Sequence, residues 1–125
     1  MPNVRLQKGL EVLRQVDPRA AETLLTRFET ISPELARLAI EFGYADVLGR
    51  PGLDLPTREL LNVAMLGAMG TASLQLKMHL KSALHVGVSK EQLVEAILQI
   101  AVYAGFPAAF NVLLGLEKVL TEHAP

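Results

Sequence analysis

Residues 89–105 read SKEQLVEAILQIAVYAG, and they decide the fold. Ser89 and Gln92 have the spacing of a capping box, with Glu91 in the first turn, where the helix dipole favours an anion. Gly105 follows the last apolar residue, the position of a left-handed cap. Within 93–104 only Glu95, Gln99 and Tyr103 interrupt the apolar run. They recur at i, i+4 and i+8, which is a helical stripe and no strand alternation. On periodicity alone such a stripe is a solvated face.

The same punctuation recurs outward along the chain. Asp17-Pro18 and Ser32-Pro33 each set a capping side chain before a proline at the first helical position. Gly70 and Gly87 also close apolar periodic runs. The spacing predicts helices over 3–16, 18–30, 33–48, 56–69, 72–86, 90–104 and 107–121, with one long loop, GRPGLDLP, at 49–56. No window combines alternation with β-branched residues. The expectation is an all-α bundle of six or seven helices, one domain over all 125 residues.

Composition narrows the function classes. The chain is 50% hydrophobic and 20% charged, with a net charge of −1. It has no basic surplus for a phosphate backbone and few aromatics for base stacking, so nucleic acid is disfavoured. The absence of cysteine removes disulfides, thiolate metal sites and thiol nucleophiles. The N-terminal MPNVRLQKGLEVLRQVD is charged throughout, unlike a secretory leader, and the apolar stretches stop short of a membrane span. A soluble cytoplasmic protein with no membrane partner is expected. In 60–69, LLNVAMLGAM, only Asn62 is strongly polar. Together with 93–104 this makes two helices apolar nearly all round, more than so short a chain buries alone, which predicts a homo-oligomer.

The histidines separate by helical phase. At about 100° per residue, Lys77 and Lys81 define one face of helix 72–86. His79 falls roughly 180° from their midpoint and His85 only about 60° from it. His79 therefore shares the inward side with Ala72, Gln75, Leu76, Ala83 and Val86, whereas His85 borders the wet face. An inward histidine is either a core residue satisfied by a neighbour or part of a pocket in which Ala72 and Ala83 leave space for a ligand. His85 and His123 are expected to be structural. A second polar cluster, Thr57, Arg58, Glu59 and Asn62, opens helix 56–69. Arg58 and Asn62 share a face by i,i+4 spacing. An arginine near a helix start is disfavoured by the dipole, so Arg58 calls for a partner: an acidic side chain, in this chain or another, or an anionic ligand. No GxSxG, GxGxxG, Walker or HExxH motif occurs, and two histidines six apart do not form an i,i+4 metal pair.

These residues carry a family resemblance. RPGLDLPTREL (50–60), AMG (68–70), LKMHLKSAL (76–84) and QIAVYAGFPAA (99–109) resemble the carboxymuconolactone decarboxylase family, over roughly residues 32–120. The resemblance implies the all-α fold of the alkyl hydroperoxidase D type, assembled as a homohexamer, a trimer of dimers. The peroxidase branch of that family carries CxxC at the positions of Ala72 and Gln75, so thiol peroxidase activity is not expected here. The decarboxylating branch acts on 4-carboxymuconolactone of aromatic-compound catabolism, the β-ketoadipate route. Such a substrate carries its own electron sink, and the resemblance implies no cofactor and no metal. It further implies a small anionic substrate, His79 as proton donor, Glu59 as its orienting or relaying partner, and Arg58, Gln75 and Tyr103 as substrate-binding side chains. Gln75, a neutral amide, cannot itself exchange a proton. Ala72, Ala83 and Phe106 would help to keep the pocket dry. A non-enzymatic oligomer that binds a small ligand is the alternative.

Overall fold

A computed structural model describes residues 2–122, and His123 lies outside them. The described residues form α-helices α1 (Val4–Val16), α2 (Pro18–Arg27), α3 (Pro33–Ala39), α4 (Leu55–Met69), α5 (Ser73–His85), α6 (Lys90–Ala104) and α7 (Phe106–Glu122). α3 runs on as a wider π-helical segment, Ile40–Leu48. The all-α expectation is met, and among the described residues there is no strand. No helix is long and apolar enough to cross a membrane. The chain forms two compact units, residues 1–55 and 56–125.

In the first unit the predicted caps are present. Asp17 accepts from the Ala20 amide and Ser32 from the Leu35 amide, each ahead of its proline. The helix expected over 18–30 stops at Arg27; the Ser32 amide folds back to the Phe28 carbonyl at 2.9 Å. The residue before a proline is pushed out of the helical region, and Ser32 is extended at φ −157°. Leu13, Val16, Ile40 and Ala45 are buried here. α1 lies so close to the π-helical segment that a Cβ on Gly9 would sit 2.5 Å from the Ile40 carbonyl oxygen. The helix expected over 33–48 changes register at Ile40, and at its end the Gly49 amide reaches back five residues to the Tyr44 carbonyl, at 2.8 Å. The buried Glu41 is held by Arg37 at 2.7 Å and Arg5 at 3.5 Å, and Arg5 also pairs with Asp46.

The second unit holds α4 to α7. Its core runs through Val63, Leu76, Leu80, Leu93, Ile100, Val112 and Leu116. The capping box of Ser89 and Gln92 closes in both directions, at 3.0 and 2.9 Å. Gly105 alone separates α6 from α7, and its φ of 94° is one that side chains disfavour. Gly70 and Gly87 are likewise at positive φ. α4 approaches its neighbours at Gly67, where a Cβ would meet Val112 at 2.5 Å and Ile100 at 2.9 Å. Lys77 and Lys81 both reach Glu122 on α7, at 2.7 and 3.6 Å, so their face of α5 lies where the helical phase puts it. His85 is exposed.

Candidate functional site: a buried glutamate and its histidine

α4 buries Glu59, Val63 and Gly67, one residue per turn. Glu59 therefore occupies the row in which α4 carries its core side chains, and it is 0% exposed. A carboxylate out of water is costly unless its oxygens find donors. Both do. His79 Nδ1 lies 2.8 Å from Glu59 Oε2, and Asn62 Nδ2 donates to Glu59 Oε1 at 3.2 Å. Among the described residues no buried side-chain nitrogen or oxygen lacks a partner.

His79 comes from α5. Its neighbours Leu76, Leu80 and Ala83 are buried in the core, while 19% of the His79 side chain remains exposed. The ring therefore bridges core and surface. An ionised carboxylate only accepts, so the contact with Oε2 places the hydrogen on Nδ1. That leaves Nε2, on the opposite edge of the ring, as the nitrogen able to meet a ligand. With a second hydrogen the ring is an acid at Nε2; without it, a base.

The other residues singled out in the sequence are placed differently. Arg58, next to Glu59 on α4, is half-buried and already engaged within the protein. Gln75 is exposed one turn before His79, although helical phase sets it on the inward side. Ala83 is part of the packed core and Phe106 is exposed. Tyr103 is 92% exposed and stands on a groove of about 720 Å³ between α4 and α6. Leu61, Ala64, Ala68, Glu95 and Gln99 line the same groove, and His79 does not. The stripe Glu95, Gln99 and Tyr103 thus borders an apolar groove and is more than a solvated face. The sequence pairs Asn62 with Arg58 by i,i+4 spacing; the structure pairs it with Glu59 by i,i+3. That spacing is the one sequence signal for it. Among the described residues no group of three or more His, Asp or Glu could hold a metal ion.

The model of the carboxymuconolactone decarboxylase family matches residues 33–118. The 4-carboxymuconolactone decarboxylase of Acinetobacter baylyi is 32% identical over 119 residues, 94% of this chain and 88% of that protein. An uncharacterised 15.0 kDa protein of Paracoccus denitrificans is 30% identical over 118 residues, again 94% and 88% of the two chains. A nitrosuccinic acid decarboxylase of Metarhizium robertsii is 32% identical over 85 residues, covering 68% of this chain and 59% of the fungal protein. The family match spans most of the chain and contains both Glu59 and His79: this protein belongs to the carboxymuconolactone decarboxylase family.

Proposed function

We propose that the protein is a cofactor-free decarboxylase of a small carboxylated lactone, resembling 4-carboxymuconolactone decarboxylase, with His79 as proton donor. The observation that carries this reading is the 2.8 Å contact of His79 with a fully buried Glu59. In the reaction the bond from ring carbon to carboxylate breaks and CO2 leaves. Its electron pair moves through the adjacent C=C into the lactone carbonyl, giving a dienolate. His79 Nε2 then delivers a proton to the carbon beside that carbonyl, and the product is the enol-lactone. Glu59 holds the ring and balances its charge before transfer; solvent returns the proton afterwards.

Two of the relatives named above are called decarboxylases, of 4-carboxymuconolactone and of nitrosuccinic acid. Both acids hold an electron-withdrawing group that can accept the pair released with CO2, a conjugated carbonyl in one and a nitro group in the other. A protein that supplies only a placed proton and a shielded site suits that chemistry. Arg58, Gln75 and Tyr103 are the proposed contacts to the anionic substrate. A homohexamer is part of the proposal. It is supported by Leu61, Met65 and Met69 on α4, Val102 on α6, and Phe106 and Phe110 on α7, all large apolar side chains left exposed in one chain. A monomer by sedimentation would remove this part. A cytoplasmic role in aromatic-compound breakdown goes with the substrate.

The test follows carboxymuconolactone by its ultraviolet absorbance in the presence of purified protein. Wild type is expected to consume it and His79→Ala to lose at least about a hundredfold in kcat, the usual share of a general acid. No turnover by wild type excludes this substrate. Full turnover by His79→Ala excludes the histidine's role.

A further inference from the structure

We infer that Asn62 is a positioning residue: by holding Glu59 Oε1 it locks the carboxylate, and through it keeps the His79 hydrogen on Nδ1 with Nε2 turned to the substrate. The kinetic part of this inference rests on the decarboxylase reading; the tautomer part does not.

The geometry gives Asn62 this role. The last torsion of a glutamate is broad, so one bond at Oε2 would let the carboxylate swivel. Asn62 Nδ2, one helical turn on, donates to the other oxygen at 3.2 Å and fixes the plane. An amide N–H needs a lone pair to point at. As the amide stands, Oε1 supplies that lone pair, so Asn62 and His79 each hold one oxygen of the carboxylate. Position 62 also interrupts LLNVAMLGAM, where asparagine is a weaker helix former than the leucines beside it. Its side-chain hydrogen bond goes to Glu59, the group that holds the histidine.

The experiment uses the full chain with Asn62→Leu, which keeps nearly the same shape without the donor, and Asn62→Ala, which removes the donor in the best helix former. The first readout is the 15N spectrum of the His79 ring at about pH 8, where the tautomers of a neutral imidazole are distinguished. Wild type should show Nδ1–H alone, and both variants a mixture with Nε2–H. The second readout is turnover: kcat should fall about tenfold in both, with KM unchanged because Asn62 does not touch substrate. If either variant fails to fold, the other carries the test. Wild-type nitrogen signals in the folded variants overturn the inference, as does an unchanged kcat beside a lowered melting temperature. A tautomer shift in a protein that never turns over carboxymuconolactone supports the role of Asn62 and removes the substrate instead.

Discussion

Replacing Glu59 by glutamine separates the electrostatic role of the buried carboxylate from its packing role. Glutamine has the same shape, so no cavity opens at a position that is 0% exposed. Its amide can still accept from His79 Nδ1 through one atom, with Asn62 turning its own amide to meet the other. The fold therefore loses little, and the removal of a buried charge offsets part of any lost bond. What disappears is the negative charge 2.8 Å from the ring. A hydrogen bond to a charged group is worth about 1.5–3 kcal/mol, against about 1 kcal/mol for a neutral one. The difference acts on the protonated ring, the form that would deliver the proton in the proposed reaction. A loss near 1.4 kcal/mol is about tenfold in rate, so kcat should fall roughly tenfold or more while the melting temperature stays close to wild type. Glu59→Ala should behave differently. It leaves Nδ1 facing a void, costs stability by about 2–3 kcal/mol, and lowers activity by at least as much as glutamine does. The assay is kcat from the absorbance of carboxymuconolactone, beside a thermal melt of each variant. A glutamine variant with wild-type kcat would refute the charge argument. One that melts far below wild type would show that the carboxylate serves the fold first.

Gly9→Ala should destabilise the first unit, because the added Cβ would lie 2.5 Å from the Ile40 carbonyl oxygen. The strain of overpacking, about 1–3 kcal/mol, outweighs a helix-propensity gain of at most about 1 kcal/mol; a urea midpoint equal to wild type would contradict this. Asp46 gives a pH dependence with a definite sign. The hydrogen bond from Arg5 holds its carboxyl below the ordinary 3.8, so the folded state binds this proton less readily than the unfolded chain. The stabilisation is complete above the unfolded value and is lost as pH falls through the lower folded one. Melting temperatures of wild type and Asp46→Asn should therefore differ by a constant amount near neutrality and converge in acid. A gap that widens in acid would contradict the assignment.

Features governed by near neighbours were legible in the sequence. The capping box at Ser89, the Asp17-Pro18 and Ser32-Pro33 starts, and the glycine at 105 each depend on residues within one turn, and the structure has them all. Helical phase also separated His79 from His85, since phase needs only a count of residues. The π-helical turn at Ile40 was not legible, and neither was the close approach of Gly9 to Ile40, which joins positions some thirty residues apart. Nor was the burial of Glu59. As a first-turn acid beside Thr57 and Arg58 it has every local mark of a solvated helix start. Periodicity shows that Glu59, Val63 and Gly67 share a line. Only packing shows that this line faces the core, and a carboxylate there must find a donor. The donor stands twenty positions away on α5. The same limit explains Glu95, Gln99 and Tyr103, correctly grouped on one face although the groove they meet belongs partly to α4. From the residues alone, without the family resemblance that pairs Glu59 with His79, the contact reads as two separate ambiguities: a histidine that suits a core, and an acid that suits a surface. Each alone has an ordinary explanation. Their contact resolves the second, because a surface glutamate would not be 0% exposed, and for the histidine it names the neighbour that satisfies the ring.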